Sequence, residues 1–167
     1  MLNNPYRAAI ITVSDKGSKG EREDASGKLI REILVGAGYN VSHTAILPDE
    51  RALLETELKR LCDENLASLI LTTGGTGFSP RDRTPEATIA AAERLVPGIP
   101  EALRMHSMTI TKRAMLSRAA AAIRGKTLIV NLPGSPKAVR ESLEFILSEL
   151  KHGLDILTGN DGECGGK

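Results

Sequence analysis

The residues best suited to chemistry lie between Leu69 and Glu86, L-I-L-T-T-G-G-T-G-F-S-P-R-D-R-T-P-E. The turn Gly74-Gly75-Thr76-Gly77, entered through Thr73, lacks Cβ atoms where backbone must approach a ligand closely. Asp82 offers an oxygen donor for a metal and Arg81 a cation for phosphate, although a surface ion pair capping the loop reads as well. Thr84-Pro85-Glu86 opens a helix, with a capping residue type, a proline at the first position and an acid facing the dipole. A strand, bare N–H groups and a helix N-terminus together form an anion site at a sheet's carboxyl edge. The turn is neither G-x-G-x-x-G nor G-x-x-x-x-G-K-S/T, so dinucleotide and P-loop signatures are absent.

A second junction of this kind is Asn131-Leu132-Pro133-Gly134-Ser135-Pro136-Lys137. Ser135 is a cap type, Pro136 suits the first helical position and Lys137 adds positive charge. Ser14 and Asp15 follow the first apolar run directly. Asp49 follows the second, where it reads equally as a helix cap or as a carboxylate at the same edge.

Composition narrows the field. The 167 residues suit one domain with a real core. A formal net charge of +1 gives no global field toward nucleic acid or membrane, and 2% aromatics with no Trp offer little for base stacking. Cys62 and Cys164 are too few and too distant for a disulfide framework or a zinc site. His43, His106 and His152 are isolated, so no Cys–His or Ser–His pairing is legible. No apolar run reaches the roughly eighteen residues of a membrane span, and no signal-peptide pattern opens the chain. The expectation is a soluble, cytoplasmic protein with neither nucleic acid nor membrane as partner.

These groups need a scaffold. Ala8 to Val13 reads as a buried strand, and the polar stretch Ser14 to Gly27 as a long connection with a solvated charge cluster at Glu21 to Asp24. Ser26 is expected to cap a helix carrying Leu29, Ile30, Ile33 and Leu34 on one face, ended by Gly36 and Gly38. Tyr39 to Leu47 gives a second strand, and a helix from Arg51 to about Asp63 buries Leu53, Leu54, Leu58 and Leu61. Cys62 near its end reads as a small buried hydrophobe. After the strand Ala67 to Leu71 and the glycine turn, Thr84 to Glu93 should be helical, packing Ala87, Ile89, Ala90 and Ala91. Val96 to Pro100 breaks it, and Glu101 to about Lys112 reads as a helix with Met105, Met108 and Ile110 as core and His106 at the surface.

Met115 to Arg124 stays open. Its four consecutive alanines favour helix, whereas Gly125-Lys126 before Thr127 to Val130 allows a hairpin. A last helix runs from Pro136 through Leu150 with Val139, Leu143, Ile146 and Leu147 inward. Met1 to Pro5 reads as an untethered lead and Gly153 to Lys167 as a thinning tail. Strands alternating with helices imply an α/β fold with a mostly parallel sheet and right-handed crossovers. Every parallel strand then delivers its loop to one edge. Two phosphate cradles with carboxylates there suit Mg²⁺-assisted chemistry on a nucleotide.

I-T-V-S-D-K-G from Ile11, L-P-D-E from Leu47, T-T-G-G-T-G-F-S-P-R-D from Thr72, T-P-E-A-T from Thr84 and N-L-P-G-S-P-K from Asn131 resemble the MogA/MoaB family of molybdenum cofactor biosynthesis proteins. The likeness runs from about Arg7 to Leu157. M-L-S-R and S-D-K-G-S-K-G-E-R-E-D-A-S-G look closer to the MogA branch than to MoaB. The resemblance implies a three-layer α/β/α domain with a flexible C-terminal tail, and a molybdopterin adenylyltransferase that transfers AMP from ATP to molybdopterin and releases pyrophosphate. It further implies Mg²⁺, a homotrimer and a molybdenum insertase partner. By it, Asp49 and Asp82 are the catalytic and metal-holding positions. Thr73, Gly74, Gly75, Thr76, Gly77 and Arg81 form one substrate loop, and Asn131, Pro133, Gly134, Ser135 and Lys137 the other. Ser14 and Asp15 match the first loop and Ser117 and Arg118 the S-R pair, while Arg118 to Arg124 becomes a strand paired with Lys126 to Val130.

One position departs from the family pattern: Arg83 stands where an apolar residue, usually valine, follows the focal aspartate. Packed there, an arginine must turn its head outward; facing the site, it adds or disturbs a phosphate contact. Two other readings share the fold, a non-catalytic pterin-binding or scaffold paralogue and a nucleotide hydrolase of the CinA type.

Overall fold

The computed structural model describes residues 6–160. Its centre is three strands without polar alternation: β1 (Arg7–Val13), β3 (Leu69–Thr73) and β6 (Thr127–Leu132), buried at every position except Arg7. Such runs form where helices cover both sheet faces. They pair in parallel in the order β2-β1-β3-β6, with β2 (Asn40–Leu47) on the edge and alternately exposed. β5 (Ala121–Arg124) adds antiparallel to β6, and the two-residue β4 (Arg94–Leu95) antiparallel to β5.

Side chains alternate between the two faces, as strand geometry requires. Ala8, Ile10, Leu69, Leu71, Leu128 and Val130 meet Ile30 and Leu34 of α2 (Ala25–Gly36), Leu103 of α5 (Gly98–Met108) and Val139, Leu143 and Ile146 of α6 (Pro136–Thr158). Ala9, Ile11, Val13, Ile70 and Ile129 meet Leu54, Leu58 and Leu61 of α3 (Arg51–Asp63) and Ala87 and Ala91 of α4 (Thr84–Ala91). The three layers implied by the family resemblance are therefore present.

Several local expectations are corrected. The connection after β1 contains one helical turn, α1 (Asp15–Ser18), whose cap Ser14 accepts from the Gly17 N–H at 3.0 Å. Asp24, not Ser26, caps α2: its carboxylate accepts from the Gly27 N–H and from the Thr12 hydroxyl, both at 2.9 Å. Asp24 thus leaves the solvated cluster. Asp49 caps nothing, since Glu50 holds the cap position of α3 without a side-chain bond. Leu53 is 53% exposed because it falls off the buried stripe. Arg83, not Thr84, precedes α4, and that helix stops at Ala91 so that Arg94-Leu95 can pair with β5; Ile89 is half exposed.

α5 begins at Gly98, earlier than expected, because Pro100 in its first turn has no N–H to lose. It ends at Met108 and a 3₁₀ turn follows at Lys112–Leu116, so Met105, Met108 and Ile110 are exposed rather than core. The hairpin wins over the alanine helix, with Gly125 at positive φ in its turn, but the strand starts at Ala121 rather than Arg118. α6 continues past Leu150 and Gly153 to Thr158, because Leu154 prolongs the buried stripe, and ends on left-handed Gly159. The expectations for Met1 to Pro5 and for the end of the tail lie outside the described residues.

Candidate active site

β1, β2, β3 and β6 run parallel and end together at Val13, Leu47, Thr73 and Leu132. The loops that follow meet at this edge. Gly74 (φ 95°) and Gly75 (φ 68°) are in the left-handed region that glycine alone adopts without strain. A Cβ on Gly74 would stand 2.4 Å from the Val13 carbonyl oxygen, and one on Gly75 2.3 Å from the Thr84 hydroxyl. Glycine is required at both positions because other chain already fills the space.

The polar groups of the two glycine loops are sorted by type. Gly74 C=O accepts from the Thr84 hydroxyl at 2.9 Å and Gly75 C=O from the Thr84 N–H at 3.1 Å. Thr76 C=O accepts from the Arg118 N–H at 2.9 Å, and Gly77 C=O from Arg118 Nε at 2.8 Å. In the second loop, Pro133 C=O accepts from the Thr73 hydroxyl and Gly134 C=O from the Ser26 hydroxyl, each at 2.7 Å. By contrast the N–H groups of Gly75, Thr76, Gly134 and Ser135 donate to none of the described residues. Carbonyls are engaged and amides free, which is the polarity an anion needs.

Three carboxylates share this edge. Asp15 N–H donates to Asp49 Oδ2 at 2.9 Å and Asp49 N–H to Asp15 Oδ1 at 3.0 Å. Arg81 grips Asp15 with Nε and Nη2 at 2.6 and 2.9 Å and reaches Glu50 at 3.1 Å. Those Arg81 hydrogen bonds, aided by the Asp49 N–H, hold the Asp15 carboxyl below its ordinary value. Asp49 moves the other way: burial raises it, and the neighbouring charges of Asp15 and Asp82 raise it further against the opposing Asp15 N–H. Asp82 Oδ2 accepts from the Gly77 and Ser79 N–H groups at 3.1 Å each. Oδ1 of Asp49 and Oδ1 of Asp82 accept no hydrogen bond from the described residues.

The glycine turn divides two cavities. A polar one of about 520 Å³ is lined by Ser14, Asp24, Asp49, Gly74, Gly75, Asp82, Gly134 and Ser135. A less polar one of about 320 Å³ is lined by Thr76, Gly77, Leu103, Arg104, Ser117, Asn131 and Pro133. The two aspartates and both glycine loops singled out in the sequence are thus brought together. Three other candidates have their side chains turned to protein partners, although Asn131 still contributes to the wall of the second cavity. Lys137 is exposed beside Glu141 at 3.9 Å and lines neither cavity. Arg118 turns inward to Gly77, Asp82 and Glu86. Asn131 is buried, donating to the hydroxyls of Thr72 and Thr88 at 3.0 and 2.8 Å and accepting from the Ala120 N–H.

A family described as a probable molybdopterin-binding domain matches residues 9–152. The chain belongs to this family. The molybdopterin adenylyltransferase of Helicobacter pylori J99 is 44% identical over 153 residues, covering 90% of this chain and 87% of that protein. That of Escherichia coli K12 is 41% identical over 145 residues, covering 86% and 74%. The crystal structure of the molybdopterin biosynthesis enzyme MoaB from Thermus thermophilus superposes with a TM-score of 0.87 at 49% identity, covering 92% of this chain and 97% of that one. Overall likeness therefore does not separate the MogA and MoaB branches.

Within this molybdopterin-binding domain, Arg83 is exposed and lines neither cavity, so the departure from the family pattern leaves the walls of the site unchanged. Sequence reading missed Asp24, Ser26 and Thr84 as parts of the site. Asp24 was legible as a cap type ahead of an apolar helix. The hydroxyls of Ser26 and Thr84 gave no signal, since their acceptors come from other loops. Among the described residues no helix is long and apolar enough to cross a membrane.

Proposed function

We propose that this chain transfers AMP from ATP to the terminal phosphate of molybdopterin with release of pyrophosphate. Membership of the molybdopterin-binding family puts it in molybdenum cofactor biosynthesis. The observation that carries the catalytic reading is the sorting of loop polarity beside two carboxylates, between two adjoining cavities. The amides of Gly75, Thr76, Gly134 and Ser135 hold phosphates, while Thr73, Thr84 and Ser26 keep the carbonyls turned to their hydroxyls. One substrate lies in each cavity, and their phosphates meet at the glycine turn. A phosphate monoester is largely ionised at neutral pH, so attack on the α-phosphorus needs no side-chain base.

The donor set fits Mg²⁺. Asp49 and Asp82 each keep one oxygen free of protein bonds, and Asp49, raised first by burial and then by the charges of Asp15 and Asp82, would be relieved by a cation. The described residues hold no group of three or more His, Cys, Asp and Glu side chains able to bind a metal, so phosphate and water oxygens would complete the shell. Bound there, Mg²⁺ would offset charge on the phosphoryl groups.

We take the protein to act in the cytoplasm as a homotrimer of one-domain chains, with a core of about 7–157, handing product to a molybdenum insertase. Exposed Met105, Met108, Met115, Leu116 and Phe145 support an interface on α5, the turn after it and α6. The deciding experiment supplies purified protein with molybdopterin, ATP and Mg²⁺ and follows adenylylated molybdopterin by mass spectrometry. Product is expected only when all three are present. Bound pterin without product would replace the transferase with a scaffold. Pyrophosphate release without pterin would replace it with a hydrolase.

A further inference from the structure

We infer that Glu86 is a positioning residue for Asp82, acting through Arg118; this rests on the adenylyl-transfer reading above. Arg118 lines neither cavity. Its Nε donates to Gly77 C=O and its Nη2 to Asp82 C=O, each at 2.8 Å, and its own N–H donates to Thr76 C=O at 2.9 Å. One guanidinium therefore closes the base of the loop whose tip carries Phe78 to Arg81. Inside that loop the Gly77 and Ser79 amides fix the Asp82 carboxylate at 3.1 Å. The remaining guanidinium nitrogen, Nη1, is paired with Glu86 Oε1.

Glu86 lies in the first turn of α4, where the helix dipole favours an acid. Its other oxygen, Oε2, is buried without a hydrogen-bond partner among the described residues. The charge of this carboxylate is met through Oε1, by Arg118. Arg83 also bears on Glu86 electrostatically, but Arg118 is the cation hydrogen-bonded to it. A guanidinium that serves two carbonyls needs a nearby negative charge to compensate it. Neutralising Glu86 leaves Arg118 free to draw the nearest carboxylate, and the main chain of Asp82 is already in contact with it. The Asp82 side chain would then leave the Gly77 and Ser79 amides, and the oxygen offered to Mg²⁺ would move with it.

The test compares Glu86→Gln, Arg118→Lys and the double variant with the wild type. It reads kcat, Mg²⁺ half-saturation and KM for molybdopterin, together with amide hydrogen exchange in the substrate-free protein. Glu86→Gln should lower kcat about tenfold or more and raise the Mg²⁺ requirement, with KM for molybdopterin unchanged within about twofold. Exchange should quicken at the Gly77 and Ser79 amides but not along β3. The double variant should be no worse than the poorer single one, as for residues acting in one chain of contacts. If Arg118→Lys does not fold, Glu86→Gln alone carries the test. A rise in KM for molybdopterin at constant kcat would make this pair a substrate contact and overturn the inference. So would unchanged kinetics, or exchange that quickens equally in α4 and β3. Failure of the wild type to form product would sink the transferase reading instead, while exchange at Gly77 and Ser79 would still decide the positioning role.

Discussion

Asp15 and Asp49 each receive the other's main-chain N–H on a carboxylate oxygen, at 2.9 and 3.0 Å, and so lock the ends of β1 and β2 together. The symmetry is broken by Arg81, which hydrogen-bonds Asp15 but acts on Asp49 only at a distance, too weakly to offset its burial and the charges of Asp15 and Asp82. One carboxylate of the pair is stabilised in place. The other carries unmet charge toward the polar cavity.

Asp49 consequently works against the fold at neutral pH. Its folded value lies above that of the unfolded chain, so the native state binds the proton more tightly. The stability linked to this group is full in acid and is lost as pH rises from the unfolded carboxylate value through the raised folded one. Asp49→Asn keeps an acceptor for the Asp15 N–H and removes that loss. Thermal melts between about pH 4 and about pH 8 should show a flatter slope for the variant and no lower midpoint near neutrality. Mg²⁺ binding by the wild type should weaken on the acid side, since protonated Asp49 holds no cation, and bound Mg²⁺ should in turn favour the ionised carboxylate.

Asp82→Asn tests the metal-holding reading. Its amide oxygen can still accept from Gly77 and Ser79, so circular dichroism and the melting midpoint should stay near wild type. Formation of adenylylated molybdopterin should drop by at least about a hundredfold, the scale on which one electrostatic group acts in such sites. An unchanged rate would remove Asp82 from the chemistry.

Gly74→Ala tests the geometry of the turn. The new methyl would meet the Val13 carbonyl oxygen at 2.4 Å with φ at 95°, so strain and overlap act together. Chemical denaturation should show a loss of about 1–3 kcal/mol, with the β1–β3 junction the first part to exchange. Equal stability would mean that the turn is looser than its contacts suggest.

The sequence was most informative where one force dominates. β1, β3 and β6 were legible because fully buried strands leave an unbroken apolar run, and Ser135-Pro136 because that pair suits a helix start and little else. Both aspartates and both glycine loops followed from their place after strands. Caps were less legible because Asp24 and Ser26, or Arg83 and Thr84, compete within two positions. The losing residue is drawn away by a bond to another loop: Ser26 reaches Gly134, 108 residues away, and Thr84 reaches Gly74, 10 away. Met105 and Met108 were misplaced for a related reason, since hydrophobicity alone does not say which side of a helix meets the sheet.

A ligand phosphate that enters between the glycine loops has nothing to displace within the protein. The amides that receive it are not bonded to another part of the chain, and the carbonyls that would repel it are already held by Thr73, Thr84, Ser26 and Arg118. The loops should therefore superpose with and without ligand, and affinity should not be eroded by rearrangement. Three hydroxyls turned toward carbonyls, not toward the ligand, thus govern how well that ligand is held.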